Sequence, residues 1–207
     1  MHFLCLHGFG TNSQVLETQL SAIQYELGDG HTYDYVDGTV PATIAPEIES
    51  IFPKTDEYFT YFNDLASSKK ALSDLRTFIK TEGPFDGIIG FCNGSLLAAA
   101  MLIQDSELGT LDPNLKVAIL FSSPILGDRA LSIGKEDGTL ISLPTAHIWG
   151  SKDDFCKDAP RVIADLCASD VKHVFIHEGG HEIPGGKDKQ AVTSSVHMIR
   201  RAINAVL

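Results

Sequence analysis

Basic residues are scarce in this chain: 16 lysines and arginines stand against 27 aspartates and glutamates, a formal charge of −11. No cluster of them offsets that field. Phosphate binding needs a concentrated positive surface, so a nucleic-acid partner is not expected. Long apolar runs are also missing. The longest, residues 96–103, falls far short of the roughly 20 residues that span a bilayer, and no membrane partner is expected. The cysteines Cys5, Cys92, Cys156 and Cys167 show neither zinc-ligand spacing nor a Cys-x-x-Cys pair. No metal and no cofactor is therefore expected. Residues 1–8 enter a strand-like apolar run with no basic start and no small-residue cleavage site, which argues against a signal peptide. Free thiols in a reducing, cytoplasmic setting follow. Cys5, in an apolar strand, and Cys167, on a helix, read as core residues.

What is present suits one compact α/β domain over residues 1–207, with hydrophobic residues at 43%. Short apolar segments rich in β-formers fall at 3–6, 32–36, 87–90, 117–122, 145–149 and 173–177. Helical patterns lie between them at 13–27, 67–80, 94–104 and 159–166, with a last one at 189–206. This alternation predicts about six mostly parallel strands flanked by helices on both faces. Two segments break the rhythm. Residues 37–63 carry three prolines and then Tyr58, Phe59, Tyr61 and Phe62; residues 123–144 surround a turn-like Lys135-Glu136-Asp137-Gly138. Both read either as short lid insertions or as edges packed on the core. On the lid reading, Phe52, Tyr58, Phe59 and Phe62 bind substrate.

The strongest local signal is Gly90-Phe91-Cys92-Asn93-Gly94, which follows the apolar strand Gly87-Ile88-Ile89 and opens the helix Ser95-Leu96-Leu97-Ala98. This is a nucleophile elbow with cysteine at the nucleophile position. A residue on so sharp a turn leaves room for little beyond glycine two places away on either side. The helix N-terminus favours negative charge, whether a thiolate or the oxyanion of acyl transfer. Cysteine is often only a small buried hydrophobe; the paired glycines and the order of elements make that the lesser reading here.

A nucleophile at the end of a central strand needs an acid and a base from later strands, in that chain order. Asp153, in Gly150-Ser151-Lys152-Asp153-Asp154, is the candidate acid, with Asp154 next. His181, in Glu178-Gly179-Gly180-His181, is the candidate base. His177 ends a strand, His147 sits inside one and His197 lies on the last helix, so these read as structural. The oxyanion hole calls for two backbone N–H groups, from Asn93 and from Phe9 in the loop after the first strand. Gly8 and Gly10 would free that loop's backbone and border the bound substrate.

With these residues assembled, the chain resembles the fungal serine-hydrolase (FSH-type) family of α/β-hydrolases over nearly its whole length. The likeness rests on Leu4-Cys5-Leu6-His7-Gly8-Phe9-Gly10-Thr11-Asn12-Ser13, Val36-Asp37-Gly38, the elbow, Gly150-Ser151-Lys152-Asp153 and Glu178-Gly179-Gly180-His181. It departs at Cys92, where the family has Ser, and at Asn93, where Gln is common. The resemblance implies an α/β-hydrolase fold and a stand-alone thioesterase of polyketide biosynthesis, a form of secondary metabolism. Such an enzyme would take an acyl chain from a thioester, such as one on a polyketide synthase acyl-carrier protein, and release it as lactone or acid. Arg129, Lys135, Lys152 and Lys157 are candidates to meet an acidic carrier. A small-ester carboxylesterase or dienelactone-hydrolase-like enzyme would share the same reactive residues. A non-catalytic binding module would have lost one of them.

Overall fold

In the computed structural model the described residues are 1–124 and 141–207. The expected alternation is present. Strand β1 (His2–Leu6) leads to helix α1 (Ser13–Leu27) and β2 (Thr32–Val36); β3 (Val40–Ala42) and β4 (Tyr58–Thr60) follow, with a 3-10 turn at Pro46–Ile48 between them. Then come α2 (Leu65–Glu82), β5 (Gly87–Phe91), α3 (Asn93–Leu108), β6 (Val117–Phe121), β7 (Thr145–Gly150), α4 (Ala159–Asp165), β8 (Lys172–His177) and α5 (Lys189–Asn204). Six strands form one sheet in the order β2-β1-β5-β6-β7-β8, every neighbouring pair parallel. The order reverses between β1 and β5. That crevice, at the carboxyl ends of the strands, is where sheets of this kind bind ligands.

Side-chain alternation along each strand divides the core. Phe3, Cys5 and Ile89 face one way, against Leu16, Leu20 and Ile23 of α1 and Val192, Val196 and Ile199 of α5. Leu4, Leu6 and Ile88 face the other, against Leu72 and Leu75 of α2 and nearly the whole of α3. Helix α3 is apolar all round because it lies beneath the sheet centre with α2 across it, as expected of a fully enclosed helix. Burial of each large apolar side chain contributes about 1.5–3 kcal/mol.

The helix starts are built from local polar chemistry. Asn12 accepts from the Val15 amide at 2.9 Å and opens α1. Asp64 and Ser67 form a reciprocal capping box that opens α2 two residues earlier than the apolar pattern suggests.

The two irregular segments fare differently. Residues 125–140, and with them Arg129, Lys135 and most of the second insertion, lie outside the described residues. Within 37–63, β3 and β4 pair antiparallel as a two-stranded ribbon, an element the sequence pattern did not reveal. Tyr58 is buried against Val15, Ala45 and Ile48, with Phe52 packed at the edge of that cluster. Phe62 joins the core under α2 and α3. Tyr58 donates its hydroxyl to the Pro53 carbonyl at 2.6 Å.

Replacing Asp64 with Ala removes the α2 cap. It is expected to lower unfolding free energy by about 1 kcal/mol, read from urea denaturation, with ester turnover unaffected.

Candidate functional site

Cys92 sits where β5 meets α3, with φ +50° and ψ −116°, backbone angles that a side chain-bearing residue rarely adopts. Two hydrogen bonds hold this turn. The Cys92 N–H donates to the Phe121 carbonyl of β6 at 3.0 Å, and the Gly94 N–H donates to the His7 carbonyl after β1, also at 3.0 Å. A Cβ on Gly94 would stand 2.3 Å from the Leu6 carbonyl oxygen, and one on Gly90 would stand 2.5 Å from Ser95 Cα. Both glycines of the elbow are therefore steric necessities.

Their first-turn bonds leave the Asn93 amide at the helix N-terminus without a hydrogen-bond partner among the described residues, and the Phe9 amide has none either. The Phe9 loop approaches closely: a Cβ on Gly8 would lie 3.4 Å from Cys92 Cβ. The Phe9 side chain is 46% exposed beside this crevice. Asn93 does more than present its amide. Its side-chain oxygen accepts from the Thr60 hydroxyl at 3.0 Å and the Tyr61 N–H at 3.3 Å, tying the elbow to the end of the β3–β4 ribbon. Gly10 joins the same ribbon, its N–H donating to the Phe59 carbonyl at 3.0 Å. His7 is buried and fully bonded, accepting from the Gly38 N–H at 2.9 Å.

The acid and base candidates meet because two loops cross at close range. The Ser151 N–H donates to the His177 carbonyl at 2.7 Å and the Lys152 N–H to the Gly179 carbonyl at 3.0 Å. At the crossing, a Cβ on Gly150 would lie 2.2 Å from the carbonyl oxygens of both Gly179 and Gly180. Only glycine fits there. Beyond the crossing, His181 Nδ1 is 2.8 Å from Asp153 Oδ2. Asp153 is buried whereas Asp154 points to solvent, which separates the two neighbours.

The His181 ring lies between Phe91, the residue before the elbow thiol, with ring centroids 5.1 Å apart, and Phe155, at 5.0 Å. Phe155 is 68% exposed and forms an outer wall. Burial alone would lower the His181 pKa. The hydrogen bond with Asp153, together with the sulfurs of Cys156 and Cys92, outweighs it, so the ring holds a proton more firmly than free histidine. Asp153 shows the matching effect: burial raises its pKa, but bonds from His181 and the Cys156 amide bring it below the usual carboxylate value.

The other histidines are placed elsewhere. His147 is enclosed in β7 and its pKa falls to about 3 through burial. His177 Nδ1 accepts from the Gly179 N–H at 3.1 Å. His197 lies on α5.

One neighbour went unremarked in the sequence. The Cys156 N–H donates to Asp153 Oδ1 at 2.9 Å, and its Sγ stands 3.5 Å from His181 Nδ1. The signal available was its spacing, three residues after the acid, where an aspartate side chain commonly receives a backbone N–H.

Residues 1–193 match the family described as serine hydrolase (FSH1). The chain belongs to that family. Esterase FPY3 of Fusarium mangiferae is 37% identical over 197 residues, covering 89% of this chain and 88% of its own. Hydrolase phiM of a fungal species is 29% identical over 195 residues, covering 88% and 86%. Among solved structures, Arabidopsis thaliana SOBER1 superposes with a TM-score of 0.65 at 14% identity, covering 98% of this chain and 99% of its own. A carboxylesterase from Mesorhizobium loti gives 0.63 at 16% identity, covering 98% and 88%. The shared architecture is the α/β-hydrolase fold. No helix among the described residues is long and apolar enough to cross a membrane.

A Gly150→Ala variant should open the loop crossing. It is expected to lose about 1–3 kcal/mol of stability in urea denaturation. Its turnover should fall as well, because Asp153 and His181 hang from the two displaced loops.

Proposed function

We propose that this hydrolase takes an acyl chain from a thioester donor onto Cys92 and releases it as lactone or acid. His181 serves as general base and Asp153 orients it. The observation that carries this reading is the His181 ring, hydrogen-bonded through Nδ1 to a buried carboxylate and lying against Phe91 beside the elbow thiol. With Nδ1 committed to Asp153, Nε2 is the nitrogen left to exchange a proton with Cys92.

The first half of the reaction follows. His181 Nε2 accepts the Cys92 proton, and the thiolate attacks the donor carbonyl. The developing oxyanion is met by the Phe9 and Asn93 amides and by the N-terminal end of α3. The tetrahedral intermediate then collapses with loss of the donor thiol, which takes the proton from His181. One thioester replaces another, so this exchange is close to energetically balanced.

In the second half His181 deprotonates either water or a hydroxyl on the acyl chain, and attack by that oxygen expels Cys92 as its thiol. A chain hydroxyl held near the carbonyl gains an effective concentration of about 10⁵ M or more, which favours lactone over acid. Exposed Lys152 and Lys157 beside the Asp153 loop suit an acidic acyl-carrier donor in polyketide-type secondary metabolism. The likeness to Esterase FPY3 supports a second reading, hydrolysis of small carboxylic esters at the same residues.

Hydroxyacyl thioester mimics and simple aryl esters, offered to the purified protein with products weighed by mass spectrometry, separate the two. Lactone and free thiol are expected from the thioesters; acid alone would remove lactonisation, and turnover confined to simple esters would favour the second reading. Cys92→Ala and His181→Ala should each lower turnover at least about a thousandfold. Undiminished turnover in Cys92→Ala would remove the covalent mechanism.

A further inference from the structure

Beside His181, at its Nδ1, lies a second thiol that the proposed reaction does not use. Cys156 Sγ, His181 Nδ1 and Asp153 carboxylate oxygen all lie within 4.8 Å of one another. We propose that these three groups form an inhibitory zinc site.

The donor set is one that zinc favours: a sulfur, an imidazole nitrogen and a carboxylate oxygen. Zn–S near 2.3 Å and Zn–N or Zn–O near 2.0–2.1 Å place tetrahedral ligand atoms about 3.3–3.6 Å apart. Sγ and Nδ1 already stand at 3.5 Å. Nδ1 and Asp153 Oδ2 stand at 2.8 Å, so insertion of the metal moves the carboxylate back by about 0.5 Å. Three protein ligands leave the fourth position to water.

The ligands come from two loops already locked together, and the Cys156 amide holds the other oxygen of Asp153 at 2.9 Å. A second observation points to the same spot. Ser122, the residue after β6, is fully buried and carries a φ of +43°. Its carbonyl accepts the Cys156 thiol at 3.2 Å. Its hydroxyl makes no hydrogen bond among the described residues. A polar, strained floor thus underlies the three donors.

Binding has a definite proton balance. The Cys156 thiol gives its proton to solvent and binds as thiolate. Nδ1 releases its proton to solvent and binds through its lone pair, while Nε2, the acceptor of the free ring, takes one up from solvent, so the bound ring stays neutral with its one proton on Nε2. That tautomer has nothing with which to accept a proton from Cys92. The metal therefore inhibits without touching the nucleophile, a consequence that rests on the catalytic roles proposed for His181 and Asp153. The binding itself does not.

Titration of the full chain with Zn²⁺ by calorimetry, and with Co²⁺ by absorbance, tests both parts. One equivalent of metal should bind, with a cobalt–thiolate charge-transfer band that survives in Cys92→Ser and disappears in Cys156→Ser. Zinc affinity and zinc inhibition should both weaken at least about tenfold in Cys156→Ser, which keeps the backbone N–H that holds Asp153. Circular dichroism checks folding, and Cys156→Ala replaces the serine variant if that variant is unfolded. A band lost in Cys92→Ser and kept in Cys156→Ser would put the metal on the elbow thiol and overturn the site; so would the absence of saturable binding. Stoichiometric binding through Cys156 without inhibition would leave the metal site standing and remove the catalytic role of His181 instead.

Discussion

The geometry of this site depends on one strained turn. Cys92 holds positive φ because its amide is captured by the Phe121 carbonyl and the next-but-one amide by the His7 carbonyl. Those acceptors belong to the ends of the two strands that flank β5, so the sheet itself secures the conformation. Strain of this kind costs about 1–3 kcal/mol and persists only where its surroundings over-determine it. Here the surroundings are the parallel register on both sides of β5 and the apolar burial of α3 beneath it. In return the thiol stands at a helix N-terminus, facing the crevice where strand order reverses.

Most of this architecture was legible in the residues. Buried parallel strands read as short apolar runs, and each strand of the six-stranded sheet lies within a residue or so of its apolar segment. The elbow was legible because sterics leave so few residue types two places from the turn. Asp153 and His181 were legible as loop residues following β7 and β8, since in a parallel sheet those loops must emerge at the same edge as the elbow. The choice between Asp153 and Asp154 was harder. Adjacent aspartates differ in a sequence only by position, and the turn that buries one and exposes the other is made by the Cys156 amide.

The ribbon of β3 and β4 was not legible, and the reason is physical. Val40-Pro41-Ala42 and Tyr58-Phe59-Thr60 are each too short to show a period of two, and Pro41 speaks against a strand. Their pairing depends on contacts distant in sequence, with Thr11, Gly10 and Asn93. The role of Cys156 was hidden for a similar reason. A lone cysteine three residues beyond an aspartate carries no pattern until the crossing at Gly150 brings His181 against it.

The side chain of Asn93 carries a further consequence. Because it grips Thr60 and Tyr61 from inside the elbow, the ribbon cannot swing like a hinged flap without first breaking the bonds that steady the turn at the thiol. That wall of the crevice is in effect a rigid jamb. Under the proposed acyl transfer, differences in chain girth fall to walls not tied in this way, such as the exposed ring of Phe155.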